Sequence, residues 1–231
     1  MREAIILAGG MGTRLQKVVP DVPKPMAPVG GKPFLYHILR WLEKYDIGKV
    51  VISAGYKADV IEKYFGDSFN RISLVYAVEE KPLGTGGALI FAARQVSGPE
   101  YLIVNGDTWF PIDLDIFWSF HSRSGNRFSI ALKRMKDFSR YGTVECNGDT
   151  IIRFNEKKYC KEGLINGGIY LTDKTFLESW KHQEVFSLEK DLLEKEVGLG
   201  MIKCHIFKDP FIDIGIPEDY HKAQSVIEQG K

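Results

Sequence analysis

The sequence predicts an α/β fold: a mostly parallel central sheet with helices on both faces, and a smaller mixed sheet packed beside it. Three observations carry this. Short apolar runs alternate with amphipathic helical patterns through the first half, the pattern of parallel strands joined by right-handed crossovers. The first apolar run breaks into the glycine-rich turn Ala8-Gly9-Gly10-Met11-Gly12. The second half is strand-like, with little helix between the strands.

Taken in order, residues 4–7 are a short buried strand. Residues 34–44 follow as a helix on which Leu35, Ile38, Leu39 and Leu42 share one face. Strand 49–53, helix 57–65, strand 73–78, helix 85–94 and strand 101–104 continue the alternation. In such sheets ligands bind beyond the carboxyl ends of the strands. Gly9, Gly84 and Asp107 all stand just past a predicted strand end or within a few residues of one, so they are expected to converge on one crevice. Strands 128–133, 143–146, 151–154 and 165–171 make the mixed sheet, with Asn147-Gly148-Asp149 as a hairpin turn. A helix at 188–196, a strand at 200–207 and a helix at 217–228 complete the chain. With no linker, repeat or low-complexity segment, residues 1–231 read as a single domain. Residues 1–125 and 126–231 read as its two halves.

Composition narrows the function classes. The 231 residues carry a net charge of +1, 44% hydrophobic and 26% charged residues, ordinary values for a soluble globular protein. Nothing suggests a nucleic-acid or membrane surface. No stretch approaches the length of a membrane span, and the N-terminal apolar run is too short for a secretory signal. Cys146, Cys160 and Cys204 form no C-x-x-C pair, so reduced thiols in a cytoplasmic protein are expected. His37, His121, His182, His205 and His221 are scattered without ligand spacing.

The glycine turn carries chemistry. Close glycines after a strand let backbone N–H groups reach a phosphate chain unobstructed. Arg14 follows at once, and Lys24 stands on the proline-stiffened Lys24-Pro25-Met26 segment. Together they read as a polyphosphate site with two cations. The run lacks the G-x-x-x-x-G-K-[ST] of a P-loop. It also puts Leu15 where a dinucleotide fingerprint needs its third glycine. Asp107 follows the apolar strand Tyr101-Leu102-Ile103-Val104, and Asp213 lies in Phe211-Ile212-Asp213-Ile214-Gly215. A carboxylate at a strand tip is a good hard-oxygen ligand for Mg²⁺.

The remaining motifs are Pro82-Leu83-Gly84-Thr85-Gly86-Gly87-Ala88, Asn105-Gly106-Asp107-Thr108, Glu156-Lys157, Asn166-Gly167-Gly168-Ile169-Tyr170 and Asp213-Ile214-Gly215-Ile216-Pro217-Glu218-Asp219-Tyr220. With Leu7-Ala8-Gly9-Gly10-x-Gly12-Thr13-Arg14-Leu15 and Lys24-Pro25-Met26, and in this order, they resemble the sugar-1-phosphate nucleotidylyltransferases. Within that family the Lys24–Pro28 and Pro82–Ala88 segments look most like the short heptose 1-phosphate guanylyltransferases. The resemblance implies a Rossmann-like, three-layer αβα nucleotidyltransferase fold whose smaller mixed sheet forms the sugar pocket. It implies a nucleoside triphosphate bound mainly by residues 1–125, a sugar 1-phosphate bound mainly by residues 126–231, and Mg²⁺ shared by Asp107 and Asp213. A homo-oligomer is compatible with it.

By this likeness Arg14, Lys24 and Asp107 are catalytic. The nucleotide would lie against Leu7, Ala8, Gly9, Gly10, Gly12, Thr13, Arg14, Pro82, Gly84, Thr85, Asn105 and Gly106. The sugar phosphate would lie against Gly142, Glu156, Lys157, Asn166 and Gly167, with Glu156 accepting sugar hydroxyls and Lys157 holding the phosphate. A β-bulge without ligand is the alternative for Gly167 and Gly168. Glu79 or Glu80 is expected to face the base: guanine offers two adjacent donors, N1–H and N2–H₂, to a carboxylate. The chain departs from the family pattern at Phe211, where Trp is usual, at Ile216 for Thr, and at Lys158 for Pro. Rival readings are a uridylyl-, thymidylyl- or mannose-1-phosphate guanylyltransferase, a non-catalytic nucleotide-sugar sensor, and a nicotinamide dehydrogenase, the last disfavoured by Leu15.

Overall fold

The computed structural model describes residues 1–10, 12, 14–15, 18–123, 126–180 and 183–228. Four parallel strands form its first half: β1 (Arg2–Leu7), β4 (Ile47–Ala54), β6 (Ile72–Val78) and β7 (Glu100–Asn105). Two short strands, β2 (Pro28–Val29) and β3 (Lys32–Pro33), form a separate hairpin, and β5 (Ser68–Phe69) borders β6. The helices between the parallel strands are α1 (Phe34–Leu42), α2 (Ala58–Phe65) and α3 (Gly84–Ala93). The order across the sheet, β7-β1-β4-β6, reverses direction at β1. The crevice between the ends of β1 and β7 is therefore the switch point where open α/β sheets bind ligands.

The strands read as apolar runs because both sheet faces are covered. Ala4, Ile6, Val50, Ile52, Leu102 and Val104 point into one core with α1 and α2. Ile5, Val51 and Ile103 point into the other with α3. The helix α4 (Leu114–Arg123), not among the expected elements although Leu114, Phe117 and Trp118 recur at helical spacing, joins the first core through those three residues.

The second half departs from expectation in one respect. Its strands are mixed, as read, but they are not a separate sheet. β9 (Phe128–Phe138), β10 (Val144–Asn147), β11 (Thr150–Phe154), β12 (Cys160–Asp173) and β13 (Ile202–Phe207) extend the first into ten strands, β10-β11-β13-β9-β12-β7-β1-β4-β6-β5. The join is β12, antiparallel to β7 from Ile169↔Val104 to Asp173↔Glu100. β12 is twice as long as its apolar core suggested because polar residues at its start still pair with β9. A small separate ribbon pairs β8 (Thr108–Trp109) with β14 (Ile212–Asp213). The helix α5 (Lys174–Glu178) follows β12. Residues 188–196 are helical, but unevenly: a π-helical stretch Leu188–Leu193 runs into α6 (Glu194–Glu196). The last helix is α7 (Pro217–Glu228).

Two of the three cysteines meet. Cys204 Sγ lies 3.3 Å from Cys146 Sγ, a contact between β13 and β10 that no local spacing could reveal. Among the described residues, no helix is long and apolar enough to cross a membrane.

Candidate active site

Leu7 ends β1, and the chain then turns across the sheet edge. Ala8 N–H donates to Ser53 O at 2.7 Å, and Gly106 N–H donates to Leu7 O at 2.9 Å. A side chain at 106 would meet that oxygen at 2.8 Å, so glycine is required for β7 to close on β1. Beyond the turn Gly10 faces open space and the Arg14 side chain is exposed. Thr13 lies outside the described residues.

Lys24 sits on a single 3₁₀ turn, Lys24–Met26, anchored by buried Pro25 and Met26. Gly12, at φ +60°, packs on its stem, where a side chain would lie 2.9 Å from Lys24 Cβ. The lysine side chain is only 12% exposed, and its ammonium is shared. Nζ donates to Asp107 Oδ2 at 2.5 Å and lies 3.6 Å from Asp213 Oδ1.

The two aspartates are brought together by the β8–β14 ribbon. Asp213 pairs with Thr108, and Ile214 N–H donates to Asp107 O at 3.0 Å. Gly215 N–H donates to Asp213 Oδ1 at 2.5 Å, and a side chain there would collide with that oxygen. Arg140 Nη2 stands 3.8 Å from Asp213 Oδ2 and also pairs with Asp219. Burial, and then the neighbouring charge of Asp107, push the Asp213 carboxyl above the usual carboxylate range. Burial foremost, with the Asp213 charge, pushes the Tyr141 hydroxyl up to about 12.

Two carboxylates converging on one cation suit a hard divalent ion, which takes one or two carboxylates and completes its shell with phosphate oxygens and water. The Lys24 ammonium is a stand-in charge at that position. Among the described residues no three His, Cys, Asp or Glu side chains cluster, so further ligands would have to come from substrate or solvent.

Beside the carboxylates opens a cavity of about 390 Å³. Asn105, Asp107, Gly142, Glu156, Lys157, Asn166 and Asp213 all line it, so residues far apart in sequence meet there as expected. Gly142 is needed because a side chain would strike Asn155 O at 2.3 Å. Glu156 and Lys157 are exposed at the rim. On the floor, Asn166 Nδ2 donates to the hydroxyl of fully buried Tyr170 at 3.0 Å.

Gly167 differs from expectation. A side chain there would run into Phe110 at 2.5 Å and Ala131 O at 2.7 Å, and it is Gly168, at φ +71°, that lines the cavity. The β12–β9 register slips between Asn166 and Tyr170, a bulge or irregularity in the strand.

The base-facing segment also sorts itself. Glu79 is half-buried and Glu80 exposed. The Glu79 carboxylate lies against Gly9 and Gly55, where a side chain on either would meet Oε1 at 2.8 Å. Its Oε2 accepts from Leu83 N–H at 3.2 Å. Burial pushes its carboxyl upward. Pro82 is exposed.

Gly84 and Thr85, expected at the nucleotide, have other partners. Side chains at Gly84, Gly86 and Gly87 would strike Phe186 O, the Phe186 ring and Glu184 O at 2.5, 2.2 and 2.2 Å. Gly86 N–H donates to Phe186 O at 2.9 Å. Thr85 Oγ1 donates to Glu189 Oε2 at 3.0 Å and accepts from Leu188 N–H at 2.9 Å. The glycines therefore seat the 184–189 segment, which carries Ser187, Glu189, Lys190 and, one turn on, Glu194 into the cavity wall. Sequence reasoning missed these four, along with Tyr141 and Tyr170. Only the Asn166–Tyr170 motif hinted at any of them.

The chain matches the nucleotidyl transferase family over residues 3–230. It is 46% identical, over 98% of both chains, to D-glycero-alpha-D-manno-heptose 1-phosphate guanylyltransferase of Aneurinibacillus thermoaerophilus. It is 47% identical, over 95% of this chain and 97% of the other, to the enzyme of the same name from Campylobacter jejuni. Among solved structures, HddC from Yersinia pseudotuberculosis superposes with a TM-score of 0.87 at 36% identity over the full length of both chains, and HddC has also been solved complexed with GMP-PN. On its residues, its fold and these likenesses, the chain belongs to the nucleotidyl transferase family.

Proposed function

We propose that this enzyme transfers the guanylyl group of GTP to a D-glycero-D-manno-heptose 1-phosphate, giving GDP-heptose and pyrophosphate. The observation that carries the reading is the convergence of Lys24, Asp107 and Asp213 at the β1–β7 switch point, on the edge of the cavity that holds Glu156 and Lys157. The two named guanylyltransferases, similar over nearly the full chain, support the heptose and the base. The complex of HddC with GMP-PN supports a guanine nucleotide.

A phosphate oxygen of the sugar 1-phosphate attacks the α-phosphorus, the bond to the β-phosphate breaks, and pyrophosphate leaves. The nucleophile is already an anion, so no general base is required. The barrier lies in bringing anions together, and positioning and charge neutralisation lower it. Arg14, exposed beside the glycine turn, clamps the leaving phosphates as a planar fork. Lys24 turns its ammonium from the carboxylates to the α-phosphate. Lys157 holds the sugar phosphate, and Glu156 accepts ring hydroxyls. Asp107 and Asp213 would hold Mg²⁺, which when bound offsets phosphate charge. Glu79, fixed between Gly9 and Gly55, receives N1–H and N2–H₂ of guanine. A cytoplasmic site, with supply to surface polysaccharide synthesis, completes the proposal.

Pyrophosphate release across four nucleoside triphosphates and a panel of sugar 1-phosphates tests it. GTP with the heptose 1-phosphate should lead and ATP should be worst, since adenine N1 turns a lone pair toward Glu79. A consistent lead for UTP or dTTP would overturn the guanylyl assignment.

A further inference from the structure

The wall of the cavity contributed by residues 187–194 has no task in the reaction as derived. The phosphate end of the cavity is marked by Asp107, Asp213 and Lys157, and Glu156 at the rim takes ring hydroxyls. The remaining wall is polar and unusually built. Leu188–Leu193 within it is π-helical, a rare conformation frequent at functional sites. Glu189 is its fixed point. Oε2 accepts from Thr85 Oγ1 at 3.0 Å and from Ser187 Oγ at 3.1 Å. Oε1 has no hydrogen-bond donor among the described residues. Glu189 is only half-buried, yet it lines the cavity with exposed Lys190 and Glu194 beside it. It shares the cavity lining with Asn166 and the buried Tyr170, and burial, then the Glu189 charge, raises the Tyr170 hydroxyl above its ordinary range.

We infer that Glu189 is a specificity-determining residue, whose Oε1 accepts hydroxyls of the side chain the sugar carries outside its ring. This rests on the heptose reading above. A carboxylate oxygen held by two hydroxyls, one from Ser187 two residues before it and one from the distant Thr85, fixes where the other oxygen points. A hydroxylated two-carbon side chain satisfies them. A shorter one leaves an acceptor to be desolvated without a partner. Apolar side chains here would suit a methyl or a bare hydrogen; Glu189, Lys190 and Ser187 do not.

The test compares D-glycero-D-manno-heptose 1-phosphate with mannose 1-phosphate, the same ring with one carbon and one hydroxyl fewer. Wild type, Glu189→Ala, Glu189→Gln and Thr85→Val are assayed by pyrophosphate release with GTP. Where mannose 1-phosphate turns over too slowly, its binding is read by calorimetry. Glu189→Ala should lower kcat/KM for the heptose phosphate roughly 10- to 100-fold, mostly through KM, and for mannose 1-phosphate less than about 3-fold. Glu189→Gln, which keeps an acceptor, should restore part of the loss, and Thr85→Val should lose about 3- to 10-fold. The KM for GTP should stay within about 2-fold throughout. Equal losses for both sugars, or a GTP KM rising in parallel, would overturn the inference, since either result makes Glu189 a strut for α3. If Glu189→Ala does not fold, the Gln and Val variants carry the same comparison. Failure of wild type to use the heptose phosphate refutes the proposed function, whereas a working wild type with unchanged sugar preference in the variants refutes only this assignment.

Discussion

The parallel half and the mixed half face their ligands with different materials. Past the ends of β1 and β4 little side chain is offered: Gly9, Gly10 and Gly55 are exposed or half-buried, beside one exposed arginine, Arg14, and one half-buried lysine, Lys24. In the mixed half the cavity is lined by side chains from β12, the β11–β12 connection and the π-helical segment: Asn166, Tyr170, Glu156, Lys157 and Glu189. The difference follows from what each ligand offers. A polyphosphate is a chain of equivalent anionic oxygens, for which N–H groups and point charges suffice. A sugar is distinguished by where its hydroxyls point, and only placed acceptors and donors can read that. Chemistry should therefore fail when the first half is altered, and selectivity when the second is.

The largest effect should come from the cations. Lys24→Ala should lower kcat roughly 10³-fold and Arg14→Ala about 10²- to 10³-fold, by analogy with loss of a preorganised donor. Lys24 comes first because it also links Asp107 and Asp213. Normal turnover in both variants would remove the glycine turn from the triphosphate site.

Asp107→Asn should weaken divalent-metal binding and cost about 10²-fold in kcat. Chelation of the metal should abolish turnover. Full activity in excess chelator breaks the two-aspartate reading.

Glu79→Ala tests an exception within the contrast, since Glu79 is the side chain proposed to read the base in the parallel half. The kcat/KM advantage of GTP over UTP should shrink by a factor between about 5 and 150. An unchanged ranking moves base recognition elsewhere.

Lys157→Ala should raise KM for the sugar phosphate about 10-fold and leave the KM for GTP alone. Equal rises would place Lys157 on the shared metal rather than in the sugar half.

The smallest effect is on stability. Burial raises the Glu79 carboxyl, so the native state favours its protonated form. The stability that protonation provides is full below the ordinary glutamate range and lost as pH rises through the raised value. Glu79→Gln should therefore melt about 1 °C higher than wild type at pH 8, and the gap should close by about pH 4. Solvent screening of a half-exposed group keeps this below ~0.5 kcal/mol. A gap that widens on acidification would contradict the sign.

The alternating apolar runs made the parallel half legible, because β1, β4 and β7 are buried on both faces and α1 and α2 on one. That Asp107 and Asp213 stand at or just past the end of an apolar strand was legible too. What could not be read were contacts spanning a hundred residues. Gly84 was expected at the nucleotide, yet its missing side chain, with those of Gly86 and Gly87, makes room for Phe186 and Glu184. Glu189 sits in a segment whose leucines predict only a buried helix face. The continuous sheet was hidden because the β7–β12 pairing depends on which edge of β7 is vacant, a fact of topology rather than of local pattern.

That pairing has a mechanical consequence. With β12 hydrogen-bonded to β7 from Ile169 to Asp173, the nucleotide crevice and the sugar cavity are cut into one plank rather than two jaws. The gap between the attacking oxygen and the α-phosphorus is then a machined dimension, set by strand spacing and not by how far a hinge swings. Such a jig tolerates little play. New sugars are better admitted by recutting one wall of the cavity than by changing the angle between halves.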